Sequence, residues 1–282
     1  MEAAMADKCT VKEIRARKGR DKITVLTAYD AATARMLDES GIDILLVGDS
    51  LGMVLLGYDS TVPVTMAEML LHCRAARRGT ARALLVGDMP FGSYQAGVNE
   101  AVQNGIRFLK EGGCDAVKIE GGEEMAEVVR ALTRAGVPVM GHLGLTPQTA
   151  GQLGGFKVQA RDLDSARKLL ADAQHLAAAG AFAIVLECVP GPLAGIVTRQ
   201  TPVPTIGIGA GPECDGQVLV INDLLGLSER KIPSFVKKYA DLASLVRAAA
   251  AAYRDEVQSG AYPAAEHTFG SKVDFSELLR NT

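Results

Sequence analysis

The sequence predicts an α/β protein, a (β/α)8 TIM barrel folded as a single domain. Three observations carry that prediction. Eight short runs are nearly continuously apolar and rich in β-branched residues, with no alternation between apolar and polar positions. Strands of that kind belong to parallel sheets covered on both faces. Amphipathic, alanine-rich stretches separate most of the runs, and strands alternating with helices build parallel βα units. The chain has 282 residues, and about 250 is typical of such a barrel.

In order, residues 10–18 predict a helix beneath the barrel. Strands are predicted over 22–28, 42–47, 82–86, 116–119, 137–140, 183–186, 203–208 and 218–221. Helices are predicted over 31–40, 65–78, 99–111, 123–135 and 164–179. Each is followed directly by a glycine (Gly41, Gly79, Gly112, Gly136 and Gly180), the residue favoured for a left-handed C-terminal cap. Thr65 and Asp164 are candidate N-caps. Only 209–217 separates the last two strands, too short for an ordinary crossover helix. Either the seventh crossover is abbreviated or the eighth strand is misplaced. The barrel core is expected over about 20–240, with an alanine-rich helix and an irregular tail over 240–282. No linker, repeat or low-complexity tract divides the chain, so residues 1–282 are expected to be one domain.

Composition narrows the function. With 48% hydrophobic residues and a net charge of −3, the chain is neither disordered nor suited to nucleic acid. The basic cluster Arg74, Arg77, Arg78 and Arg82 reads as a solvated helix face or a subunit contact. The five cysteines are dispersed, odd in number and without a C-x-x-C pair, which argues against a disulfide framework and a cysteine zinc site. Residues 1–10 lack an apolar targeting core, and the strongest apolar run, 42–56, is broken by Gly48, Asp49 and Gly52. A membrane helix needs about 20 mostly apolar residues. A cytoplasmic protein with no membrane partner is expected.

A barrel of this type places its active site at the C-terminal ends of the strands. Tyr29 and Asp30 follow the first run, Asp49 and Ser50 the second, and Asp88 the third. Lys118 lies within the fourth, which ends at Glu120; His142 follows the fifth and Glu187 the sixth. Asp49, Asp88 and Glu120 form an oxygen-rich cluster suited to a hard divalent ion such as Mg²⁺. The plainer alternative for each acid is a helix N-cap. Lys118 could bind a substrate carboxylate, stabilise an enolate oxygen, form a Schiff base if its pKa were depressed, or simply pair with Glu120. Glu187 ends an apolar strand, where desolvation raises a carboxylate's pKa and suits it to act as a general base. Its neighbour Cys188 reads as a buried small apolar residue. His142 reads as a supporting hydrogen-bonding group, whereas His72, His175 and His267 read as surface or core fillers. Gly207, Gly209 and Gly211 after the seventh strand could hold a phosphate, or give access to a bulky cofactor.

These residues sit in motifs that resemble the ketopantoate hydroxymethyltransferase family. The motifs are 47–53 (VGDSLGM), 59–65 (DSTVPVT), 87–91 (GDMPF), 117–122 (VKIEGG), 141–148 (GHLGLTPQ), 186–190 (LECVP), 206–211, 215–220 (DGQVLV) and 266–269 (EHTF). They span nearly the whole chain in order. The resemblance implies a Mg²⁺-dependent barrel enzyme of pantothenate biosynthesis. It would transfer a hydroxymethyl group from 5,10-methylenetetrahydrofolate to 3-methyl-2-oxobutanoate, giving 2-dehydropantoate through an enolate. It further implies Asp49, Asp88 and Glu120 at the metal, Asp49, Ser50, Asp88 and Lys118 at the substrate, Glu187 as catalytic base, and a homodecamer. Asn222 and Phe156 depart from the residues common in the family. The nearest rival is an oxo-acid lyase or mutase resembling isocitrate lyase or phosphoenolpyruvate mutase. It would favour a catalytic-cysteine loop with neighbouring basic residues, and none is evident. A rival of another class is a non-catalytic barrel that binds an oxo acid or a folate.

Overall fold

The computed structural model describes residues 8–152, 154–228 and 232–281. The first seven positions of the stretch read for a targeting core therefore lie outside the described residues. Eight parallel strands close into a barrel in sequence order: β1 (Ile23–Thr27), β2 (Ile44–Val47), β3 (Leu84–Asp88), β4 (Ala116–Glu120), β5 (Val139–Gly144), β6 (Ala183–Glu187), β7 (Thr205–Ile208) and β8 (Gly216–Leu219). The ring closes where β8 pairs with β1, with Val218 opposite Val25.

The near-continuous apolar runs hide a period of two, because successive side chains point to opposite faces of a strand. Val25, Leu46, Val86, Ala116, Met140, Val185 and Val218 belong to one buried cluster, inside the barrel. Their neighbours Leu45, Leu85, Val117, Val139 and Ile184 belong to a second, packed beneath the helices. Two residues past Val86, Ala116, Met140 and Val185 stand Asp88, Lys118, His142 and Glu187. Strand parity thus lays a charged layer on apolar ones and aims it into the barrel.

The helices are α1 (Val11–Ala16), α2 (Ala31–Glu39), α3 (Leu51–Val54), α4 (Met66–Gly79), α5 (Val98–Lys110), α6 (Ala126–Arg134), α7 (Leu163–Ala179), α8 (Gly191–Gln200), α9 (Ile221–Leu224) and α10 (Leu242–Ser259). α1 starts from a capping box of Thr10 and Glu13, and its buried Ile14 joins the inner cluster, closing the barrel floor. α4 starts from Thr65 as expected, in a second capping box with Glu68. At α7 the expectation needs correction. The cap is Asp162, whose side chain accepts from the backbone N–H groups of Asp164 and Ser165, and Asp164 lies inside the helix.

Gly180 closes α7 in the left-handed conformation. Gly79 is instead the last residue of α4, where a Cβ would run into the Ala31 carbonyl of α2; close helix packing is its reason. Among the basic cluster, Arg77 and Arg82 are half-buried anchors. Arg77 pairs with Asp115 at 3.0 Å, and Arg82 donates to the Ile42 carbonyl at 2.7 Å.

β8 begins two residues earlier than predicted, and the seventh crossover is indeed abbreviated to residues 209–215 without a helix. An extended chain reaches roughly 3.3 Å per residue, so these residues suffice to return along a four-residue strand. α8 is not predicted by pattern, because Gly191, Pro192 and Gly195 blur its helical period.

Candidate active site

At the C-terminal mouth, β2 to β6 contribute one connected set of polar side chains. Asp88 and Lys118 are register partners on β3 and β4, which brings Lys118 Nζ to 2.7 Å from Asp88 Oδ1. Asp88 Oδ2 accepts the backbone N–H of Asp49 at 3.0 Å. On the same face of β4, Glu120 Oε1 lies 3.9 Å from Lys118. It lies 3.2 Å from His142 Nδ1. The other ring nitrogen of His142, Nε2, faces Glu187 Oε2 at 3.1 Å. Asp49, Asp88, Lys118, Glu120 and His142 are all buried. Glu187 is half-buried, its side chain 17% exposed.

Burial at this density changes proton affinities. Burial, Asp88 and Glu120 together push the Asp49 carboxyl well above the usual carboxylate range. Burial also raises Asp88, against the pull of Lys118. Burial would lower the Lys118 ammonium, but Asp88, Glu120 and Asp49 outweigh it and raise the group. A lysine held protonated in this way does not supply the free amine that a Schiff base requires. Burial would likewise lower His142, yet its bonds to Glu120 and Glu187 push it up to about 9. Glu120 is raised by burial and lowered more strongly by His142, Lys118 and the Gln148 backbone, ending below its ordinary value.

The three acids expected at a metal, Asp49, Asp88 and Glu120, all line one cavity. Among the described residues no group of three or more histidine, cysteine, aspartate or glutamate side chains is gathered as a ligand set. Asp88 faces Lys118 through Oδ1 and accepts the Asp49 N–H through Oδ2, and Glu120 faces His142 through Oε1 and accepts the Gln148 N–H through Oε2 at 3.0 Å. Asp49 and Asp88 are neighbouring carboxyls at the cavity wall, raised by burial and, at Asp49, by Asp88 and Glu120. One or two carboxylates with several waters are what a hard divalent ion such as Mg²⁺ takes. The donor chemistry therefore fits one, with Glu120 adding its negative charge to the same cavity.

Gln148 is a buried polar residue at the site that strand-end positions alone do not single out. Its Nε2 donates to Asp49 Oδ2 and to the Met89 carbonyl, both at 2.9 Å. Its Oε1 accepts from the Tyr94 hydroxyl at 2.7 Å, and that hydroxyl accepts from Glu120 N at 3.0 Å. One buried amide thus ties the ends of β2, β3 and β4 together. Its only signal in the sequence is a polar residue just beyond β5, three positions after Leu145 in the same motif as His142. Ser50, expected at the substrate, bonds the buried Tyr29 hydroxyl at 2.9 Å and lines the cavity.

The cavity is about 420 Å³ and is lined by Asp49, Ser50, Asp88, Lys118, Glu120, His142 and Glu187. Phe156, one of the two departures, lines it as well. Gly207, Gly209 and Gly211 do not join this lining; Gly209 and Gly211 line a second cavity of about 510 Å³, together with Lys22, Gln217 and Phe235. Gly209 has φ +62° and leaves room for the Phe235 ring, which a Cβ would meet. Gly211 approaches Gly191, and Gly207 lies against Cys214 and Gln217. Cys188 is half-buried, not buried, with φ 49° at the turn after β6. The five cysteines are free, and no helix among the described residues is long and apolar enough to cross a membrane.

The fold and several solved structures agree. Phosphoenolpyruvate phosphomutase from Streptomyces platensis subsp. rosaceus has a TM-score of 0.59 at 17% identity, over 89% of this chain and 88% of that one. 2,3-Dimethylmalate lyase, of the PEP mutase/isocitrate lyase superfamily, has a TM-score of 0.55 at 15% identity, over 96% and 93%. At such identities the likeness concerns the fold alone.

Sequence relatives reach much further. The 3-methyl-2-oxobutanoate hydroxymethyltransferase of Desulfotalea psychrophila is 62% identical, over 96% of this chain and 97% of that protein. The protein of the same name from Heliobacterium modesticaldum is 57% identical, over 97% and 100%. The sequence profile for ketopantoate hydroxymethyltransferase matches residues 8–265. With the profile over nearly the whole chain, and relatives this similar along their full lengths, the chain belongs to the ketopantoate hydroxymethyltransferase family.

Proposed function

We propose that this protein is a 3-methyl-2-oxobutanoate hydroxymethyltransferase that takes its one-carbon unit from 5,10-methylenetetrahydrofolate and forms 2-dehydropantoate. The observation that carries the reading is a single cavity in which Glu187, partnered by His142, meets Asp49, Asp88 and Lys118. In the reaction, C3 of the oxo acid gives its proton to Glu187. The electron pair left behind forms the new carbon–carbon bond to the one-carbon unit. Water supplies the hydroxyl, and tetrahydrofolate leaves.

The chain's residues divide this work. His142, whose own proton affinity is raised, stands 3.1 Å from Glu187 and offers it an ion-pair partner beside the substrate. Lys118 offers a fixed positive charge to the substrate carboxylate or to the enolate oxygen. Ser50 is held by Tyr29 at the same wall. Asp49 and Asp88 would hold Mg²⁺, with Glu120 and Gln148 fixing their surroundings. The bound ion would act as a Lewis acid on the 2-oxo group.

The reading includes a cytoplasmic homo-oligomer, a homodecamer by family resemblance. What supports association is α10, which has no buried residue and exposes Leu245, Val246 and Tyr253.

Deuterium exchange at C3 of 3-methyl-2-oxobutanoate, with Mg²⁺ and without folate, tests the chemistry. The wild type should exchange. Glu187→Gln should slow exchange by about 10²-fold or more, the usual contribution of a positioned base. A wild type that does not exchange would sink the enolate mechanism, and an undiminished rate in the variant would remove Glu187 from the base role.

A further inference from the structure

We propose that Asp223 recognises the paired N–H donors of a reduced pterin and so seats the one-carbon donor opposite the acids. This rests on the folate reading above and deepens it.

In a closed eight-stranded ring β8 stands opposite β4. The charged set at the ends of β2 to β6 leaves the ends of β7, β8 and β1 as the other side of the mouth. The other side is built by Val218, Leu219 and Val220, with Phe235 and Val236. A cavity of about 420 Å³ lies in the range that accommodates ligands much larger than a five-carbon acid. The space beyond the acids is thus apolar and flanked by an aromatic ring. Gly209 makes that ring possible, since a Cβ there would meet it.

One carboxylate interrupts this apolar wall. Asp223, in α9 just past the end of β8, lines the cavity and is half-buried. Its Oδ1 accepts from Ser228 Oγ at 2.5 Å. Its Oδ2 has no hydrogen-bond donor among the described residues. A half-buried carboxylate oxygen that no protein donor occupies is open to a ligand that brings donors of its own. The 2-oxo acid cannot do so, because it carries acceptors only and would be repelled. A 2-amino-4-oxo pterin can, because its N3–H and 2-amino group lie side by side and match a carboxylate with two charge-assisted bonds. The flat ring then packs against the apolar wall.

Calorimetric binding of tetrahydrofolate and of its 2-desamino analogue tests the assignment without turnover. The wild type should bind tetrahydrofolate at least tenfold more tightly than the analogue. Asp223→Asn, the same size and able to keep the Ser228 bond, should lose that discrimination. A wild type that binds both ligands alike, or a variant that still discriminates, overturns the Asp223 assignment. Guanosine carries the same donor pair on another ring, and guanosine bound more tightly than tetrahydrofolate overturns the pterin. A wild type that binds no tetrahydrofolate overturns the folate reading itself, whatever the C3 exchange shows.

Discussion

Gln148 shows how much of the site depends on a residue that performs no chemistry. Its amide bonds Asp49, Met89 and Tyr94, and its backbone N–H bonds Glu120. Removing a partner that orients metal-binding carboxylates typically costs about 10–100-fold in affinity. Gln148→Ala is therefore expected to weaken Mg²⁺ binding by that factor, read by calorimetry. His142 supplies the pH prediction. Its folded-state value, about 9, lies above its ordinary 6.5. Its contribution to stability is thus fully present below pH 6.5 and lost as pH rises through about 9. Raised Asp49 and Asp88 act in the same direction from the ordinary carboxylate range upward. Without a divalent ion, the melting temperature should fall from pH 6.5 to 9, and His142→Gln should flatten that decline. Thermal unfolding across this range checks it. At this scale the chemistry-bearing residues were legible because each follows an apolar strand. Their partners were not: Lys118 pairs chiefly with Asp88, a residue 30 positions away in sequence, because strand register sets them side by side.

At the scale of elements, most boundaries followed from local signals, and the exceptions are informative. Asp164 was expected to cap α7, and the cap is Asp162, two residues earlier. Only Asp162 has the extended backbone from which its side chain reaches the first N–H groups. Asp164 is 92% exposed and paired only with Arg167, an interaction of little worth in solvent. Asp162→Ala should cost about 1 kcal/mol and Asp164→Ala only a few tenths, read from denaturant midpoints. β5 was predicted to end at Met140 and runs to Gly144. His142 is therefore a strand residue, aimed inward by parity instead of placed by a loop. The glycines after β7 stand outside the acid-lined cavity for a related reason. A glycine-rich segment looks alike whether it faces a ligand or makes room for the chain's own Phe235.

At the scale of the whole molecule, the barrel leaves surface without an internal partner. Thr24 and Gln217, register partners on β1 and β8, are exposed because no helix follows β7, and α10 buries none of its residues. Sedimentation should accordingly give a mass several times that of one chain, and a monomer would count against the oligomeric reading.

The sequence by itself determined the barrel, because near-continuous apolar strands alternating with amphipathic helices have few other ways to bury both faces. It also determined which residue types end the strands, since those positions break the apolar pattern. Tertiary structure alone decided which of them act together. Closure of the ring brings Glu187 to His142, Asp88 to Lys118 and Gln148 to Asp49, and sets Asp223 in the wall of the same cavity. Such contacts depend on register and on which face each side chain takes, and neither is written in any single segment.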